Sequence, residues 1–84
     1  MANFAEIEQM RAQFLWALYQ EVGGVMQIQA DPYKLGKHLR YSKNDTDKIA
    51  MYLEQVGLIV RYAMGGISIT QQGIDVIHRI ARER

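Results

Sequence analysis

The sequence has no cysteine, one proline and almost no net charge. Without cysteine it can form neither a disulfide nor a thiolate metal site. No apolar run approaches the length of a membrane span, and the N-terminus lacks the basic start and apolar stretch of a signal peptide. We therefore expect an intracellular protein, most simply a cytoplasmic one, that does not insert into a membrane.

The small net charge also limits the functions to consider. Ten basic residues against nine acidic ones give +1 at neutral pH, whereas strong nucleic-acid binders usually carry a large positive excess. Any basic surface must therefore come from where the charges lie. The two histidines, His38 and His78, have no cysteine as a possible co-ligand, and no nucleophile lies at a recognisable spacing from a base. The sequence predicts no metal, no cofactor and no enzymatic activity.

The composition suits one folded domain. The chain has 84 residues, 49% of them hydrophobic. A chain of this size forms one domain with a small core. We expect a single domain over residues 1–84.

Hydrophobic periodicity predicts four helices, about residues 4–22, 32–40, 45–56 and 71–82. Residues that cap helices well precede each of them. Asn3 precedes the first, Asp31 precedes the second together with Pro32, and Thr70 precedes the last. For the third helix the sequence offers three candidate caps, which are Ser42, Asn44 and Asp45. Gly57 stands where a left-handed residue ends that helix.

Three short stretches predict strands, about residues 26–30, 58–64 and 67–70. Gly65 and Gly66 predict a two-residue hairpin turn, because both accept positive φ. The resulting order is helix, strand, helix, helix, hairpin, helix. The predicted fold class is α+β and mostly helical.

Three segments carry a resemblance to a known family. Residues 35–42 read LGKHLRYS, residues 53–59 read LEQVGLI and residues 69–73 read ITQQG. With these features the chain resembles the winged helix-turn-helix family of DNA-binding domains, over about residues 30–80. The resemblance implies a three-helix core, a short β-hairpin wing and a C-terminal helix.

The resemblance also implies a function, a small DNA-binding protein of the transcription-regulator type. Its recognition helix, about residues 44–56, would enter the major groove of double-stranded DNA. The residues expected to contact base edges or phosphates are Lys34, Lys37, Arg40, Lys43, Asn44, Lys48, Met51 and Arg61.

Other interpretations of these residues stay open. Residues 31–48 hold five basic and three acidic residues, a net charge of +2, which also fits an ordinary solvated surface. Asp45 and Asp47 favour the start of a helix through its dipole. Met51 suits a thymine methyl group or a protein partner equally. The alternative function is a protein–protein interaction module or adaptor of winged-helix type that binds no nucleic acid.

The first predicted helix carries more apolar surface than one small core covers. Its core-facing stripe already includes Phe14 and Leu18. Phe4 falls within the same core-facing arc, whereas Trp16 and Tyr19 extend well beyond it, and we expect Phe4, Trp16 or Tyr19 in a homodimer interface. The alternative is a monomer in which Trp16 is half exposed.

Overall fold

Six regular elements make up the part of the chain that is described. The structure is a computed structural model that describes residues 3–83; residues 1, 2 and 84 of the expected domain lie outside it. Within these residues it is α+β and mostly helical, as the sequence predicts. The elements are α1 (Phe4–Glu21), α2 (Pro32–His38), α3 (Lys43–Gln55), β1 (Ile59–Arg61), β2 (Ile67–Ile69) and α4 (Gln71–Arg82).

Polar side chains begin each of the four helices. Every cap is an extended residue whose side chain accepts a hydrogen bond from a backbone N–H two or three residues ahead. Of the three candidates for α3, Ser42 is the cap, and its Oγ lies 3.0 Å from the Asp45 nitrogen. The helix therefore begins at Lys43, two residues before the predicted start. The four caps are Asn3, Asp31, Ser42 and Thr70.

The end of α3 follows its predicted form. Gly57 has a φ of 81°, in the left-handed region that glycine adopts without steric cost. The Leu58 N–H donates to the Leu53 carbonyl at 2.9 Å, and the Gly57 N–H donates to the Glu54 carbonyl at 3.0 Å. This pair of bonds is a Schellman ending, and it turns the chain from α3 directly into β1.

The predicted strand at residues 26–30 is wrong except at its last residue. Ala30 forms a single bridge to Ile67, with N···O distances of 2.8 and 2.9 Å. The preceding residues form a turn and a loop, and Gln27 has a φ of 74°, which a strand does not accommodate. Met26 and Ile28 are exposed, so their alternation with polar residues does not reflect a half-buried strand.

The predicted two-residue turn at Gly65 and Gly66 is also wrong. The Gly65 N–H donates to the Tyr62 carbonyl, and the Tyr62 N–H donates to the Gly66 carbonyl, both at 2.9 Å. Ala63 and Met64 therefore lie at the centre of the turn, and of the two glycines only Gly65 has a positive φ, 97°. A three-residue hairpin loop needs one left-handed residue after its turn, so the loop begins earlier than predicted and β1 ends at Arg61.

The core lies around α1. This helix packs against α2, α3, α4 and β2. The most completely buried large apolar side chains come from four elements: Phe14, Leu15 and Leu18 from α1, Leu53 from α3, Ile67 and Ile69 from β2, and Ile77 from α4. Within residues 3–83, no helix has the length and apolar character that crossing a bilayer requires.

Candidate nucleic-acid interface

One face of α3 is exposed to solvent. Asn44, Lys48, Met51 and Gln55 recur at intervals of three and four residues, and all four are exposed, so they form one stripe along the helix. The sequence predicts the first three for this face. It does not single out Gln55, although helical spacing from Met51 is enough to place it there. We call these four residues the α3 stripe.

Close packing against α2 holds α3 in place. Gly36 of α2 lies so near the buried side chain of Thr46 that a Cβ at Gly36 would overlap the Thr46 hydroxyl. The two helices therefore approach at a point that admits only glycine. This contact fixes the orientation in which the α3 stripe meets solvent.

The acidic residues of α3 lie beside the α3 stripe and not in it. The Tyr33 hydroxyl of α2 donates to Asp47 Oδ1 at 2.6 Å. The guanidinium of Arg61, on β1, pairs with Glu54, with Nη1 3.5 Å from Oε1. Asp45 stands in the first turn of the helix, where a carboxylate favours the helix dipole. The α3 stripe itself carries one ammonium group, two amides and a thioether, with no carboxylate.

Tyr33 joins α2 to α3 with both parts of its side chain. Its hydrogen bond to Asp47, more than any other cause, raises the pKa of the hydroxyl above the usual 10.0, because the carboxylate favours the protonated phenol. The Lys43 ammonium lies 5.4 Å from the centre of the Tyr33 ring, within the range of a cation–π contact. The sequence does not identify Tyr33, because its partners lie 10 and 14 residues away along the chain.

The four lysines among the predicted basic residues fall into two groups. Lys43 and Lys48 belong to α3 and lie at or beside the α3 stripe. Lys34 and Lys37 belong to α2, where they also line a shallow groove of about 460 Å³ against the C-terminal turn of α1. Glu21 lines the same groove. The structure therefore does not gather all the predicted cations on one face.

Arg40 occupies an unusual backbone position at the end of α2. Its φ is 65°, and the N–H groups of Arg40 and Tyr41 donate to carbonyls of the last helical turn at 3.0 and 2.8 Å. This is the position where glycine is most common. A side chain there destabilises the backbone by roughly 1 kcal/mol, yet an exposed arginine occupies it.

The hairpin offers little positive charge. Arg61, the only basic residue in residues 59–69, pairs with Glu54 across an exposed surface. Met64 at the tip is 96% exposed, and Val60 is exposed on β1. The sequence predicts Arg61 as a DNA contact, and the structure shows that its guanidinium already has a carboxylate partner.

The three residues predicted for a dimer interface differ in exposure. Phe4 is 72% exposed at the start of α1 and Trp16 is 40% exposed, whereas Tyr19 is partly buried against the core. The Trp16 and Tyr19 rings stack with centroids 5.9 Å apart, and Tyr19 Oη lies 3.4 Å from His78 Nε2 on α4. Beside Trp16, a groove of about 310 Å³ runs between α1 and α4. Its apolar lining is Ala12, Trp16, Ile77, Ile80 and Ala81.

Among residues 3–83, no three side chains of metal-ligating type come together. His78 contacts Tyr19, and His38 lies on the exposed side of α2. Comparison of the chain with models of protein families, with curated proteins and with solved structures finds no match.

Proposed function

We propose that the chain is a winged helix-turn-helix domain that binds double-stranded DNA, with α3 as its recognition helix. The order of α1, the bridging residue Ala30, α2, α3, the β1–β2 hairpin and α4 is consistent with that fold. The observation that carries the proposal is the α3 stripe, four exposed side chains along one helix face with no carboxylate among them. We assign the protein to the transcription-regulator type.

The chemistry of the α3 stripe suits the edges of base pairs. Asn44 and Gln55 carry amides, which pair with the N6 and N7 atoms of adenine. Lys48 can donate to guanine, and the Met51 side chain, 49% exposed, can contact a thymine methyl group. Because recognition helices approach base edges with their N-terminal half, we expect Asn44, Lys48 and Met51 to lie closest to the bases.

The neighbouring cations suit the phosphate backbone. Lys43 lies at the first turn of α3, Arg40 lies just before it, and Lys37 is exposed on α2. Phosphate contacts set the register of a protein on DNA and supply most of its sequence-independent affinity. The unusual backbone at Arg40 supports this role, because a side chain in a destabilised conformation is often kept for its function.

The test is a double substitution of two of these cations, Lys37→Ala with Lys43→Ala. We expect weaker binding to every duplex. A plot of log affinity against log salt should also become shallower by the contribution of about two phosphate contacts in each protomer, each of which adds about 0.9 to the slope. The matched control is Arg79→Ala with Arg82→Ala, which removes the same charge from α4. Equal effects of the two double variants would exclude the Lys37 and Lys43 surface as the site.

We further propose that the protein binds DNA as a homodimer formed through α1. Phe4 and Trp16 are the large exposed side chains of that helix, and aromatic side chains are favoured anchors in interfaces. Two copies related by a two-fold axis would present two α3 helices to two half-sites. Tyr19 would support Trp16 by stacking rather than form the anchor itself.

A protein-binding module is the second candidate function, and the hairpin favours it. A wing that contacts DNA usually presents free cations to the backbone, whereas this one presents Met64 and Val60 and a paired Arg61. The loop before Ala30 adds three more exposed apolar side chains, Val25, Met26 and Ile28. This alternative predicts no binding to any duplex at low salt, which is the outcome that separates the two candidates.

A further inference from the structure

Lys43 and Asp47 carry opposite charges one helical turn apart, yet they form no ion pair in the part of the chain that the structure describes. Residues at this spacing on a helix are neighbours, and opposite charges there attract. Both side chains turn instead to Tyr33 of α2. Asp47 Oδ1 accepts a hydrogen bond from the Tyr33 hydroxyl at 2.6 Å, and the Lys43 ammonium lies 5.4 Å from the centre of the Tyr33 ring.

The competition between these contacts has a physical basis. Hydrogen bonds to a charged group are stronger than neutral ones, and 2.6 Å is a short oxygen–oxygen distance. A lysine that precedes its acidic partner by four residues forms the weaker of the two helical orientations. The Tyr33 hydroxyl therefore competes successfully for the Asp47 carboxylate. The Lys43 ammonium contacts the Tyr33 ring and not that carboxylate.

We propose that Tyr33 is a positioning residue, which holds the Asp47 carboxylate on α2 and so leaves the Lys43 ammonium available to a DNA phosphate. This inference rests on the proposed function, because it assigns Lys43 to the DNA backbone. The side chain of Tyr33 need not touch DNA itself. Its hydroxyl acts on Asp47, and its effect on binding passes through the charge of Lys43.

The perturbation is Tyr33→Phe, which keeps the ring beneath Lys43 and removes only the hydroxyl. Asp47 is then free to pair with Lys43 within α3. We expect affinity for a mixed-sequence duplex to fall about threefold, the factor that a unit charge about 6 Å from a phosphate produces in water. The slope of log affinity against log salt should also become shallower, by up to the contribution of about one phosphate contact.

Two further variants make the test specific. In Tyr33→Phe with Asp47→Asn, the competing carboxylate is gone, and we expect affinity to return at least to that of the parent. In a Lys43→Ala background, Tyr33→Phe should leave affinity unchanged. The matched control is Tyr52→Phe, which removes a hydroxyl from an exposed tyrosine of α3 on the side of α1 and should leave binding as it is. Thermal unfolding of each variant reports whether the fold is kept.

Each outcome decides the inference. Recovery of affinity in the Asp47→Asn double variant supports it. A double variant as weak as Tyr33→Phe alone means that the hydroxyl contacts DNA directly, and an unchanged Tyr33→Phe means that Asp47 does not compete; either result overturns the proposal.

A DNA-independent measurement separates a failure of this inference from a failure of the proposed function. The hydrogen bond to Asp47 is the largest cause of the raised pKa of Tyr33. Among the smaller effects, the charge of Arg61 lowers this pKa and the charge of Asp31 raises it. We therefore expect Asp47→Asn to lower the pKa of Tyr33. The pKa can be measured by an NMR titration of the signals of the Tyr33 ring. An unchanged titration shows that the contact with Asp47 is absent in solution and overturns the inference. A lowered pKa in a protein that binds no duplex confirms the contact and rejects its role together with the proposed function.

Discussion

Substitution of Gly36 by alanine tests the packing that orients the α3 stripe. A Cβ at this position would overlap the Thr46 hydroxyl and lie 3.1 Å from both Thr46 Cβ and Cγ2. Thr46 is 1% exposed, so its side chain cannot move out into solvent. The added methyl group must therefore move α2 away from α3.

Two opposing effects set the magnitude. Alanine is favoured over glycine within a helix by about 1 kcal/mol, which would stabilise α2. Overpacking of a closed contact costs about 1–3 kcal/mol, and an overlap with one side-chain atom together with two tight contacts belongs at the upper end. We expect a net loss of about 2 kcal/mol, a large share of the stability of a small domain.

Urea denaturation measures this loss through the shift of the midpoint. With a slope of about 1 kcal/mol/M, the lower end for small proteins, the midpoint should fall by about 2 M. Lys37→Ala is the control, because it introduces alanine next to Gly36 on an exposed position. Gly36→Ala with Thr46→Ala should show favourable coupling between the two sites. A Gly36→Ala variant as stable as the parent would refute the close approach of α2 and α3.

Three further predictions concern the core, the end of α2 and α1. Leu53→Ala should lower the free energy of unfolding by about 2–5 kcal/mol, because Leu53 is 2% exposed; a denaturation midpoint within error of the parent would contradict its burial. Arg40→Gly should raise the free energy of unfolding by about 0.5–1 kcal/mol, since it relieves a left-handed non-glycine residue, while weakening DNA binding; DNA binding as strong as that of the parent would argue against a phosphate contact. Sedimentation should show a parent dimer at tens of micromolar and weaker association in Trp16→Ala, and a parent that stays monomeric would exclude the homodimer.

Local signals in the sequence were sufficient for the starts of α1, α2 and α4, whereas for α3 they left three candidate caps. Capping depends on a side chain and an N–H two or three residues ahead, so Asn3, Asp31 and Thr70 are recognisable from their immediate neighbours. The ending at Gly57 is local in the same sense. Helix spacing likewise predicts most of the α3 stripe.

Features that depend on distant partners were not predictable. Residues 26–30 alternate between apolar and polar side chains, but only Ala30 finds a pairing partner, which is Ile67. Whether such a segment becomes a strand depends on that distant partner. The two glycines are compatible with a two-residue turn centred on them and with a three-residue loop that ends at Gly65. The register of β1 against β2 selects the three-residue loop. The bond between Tyr33 and Asp47 depends on how α2 crosses α3, which no local pattern specifies.

The central claim is that α3 and its neighbouring cations bind double-stranded DNA, and equilibrium binding of the parent protein to a mixed-sequence duplex tests it most directly. Fluorescence anisotropy at about 50 mM and about 200 mM salt should show binding at the lower concentration. With three to four phosphate contacts in each protomer, affinity should fall on the order of 100-fold per bound protomer between the two. Absence of binding at about 50 mM salt, or an affinity that does not change with salt, would contradict the account.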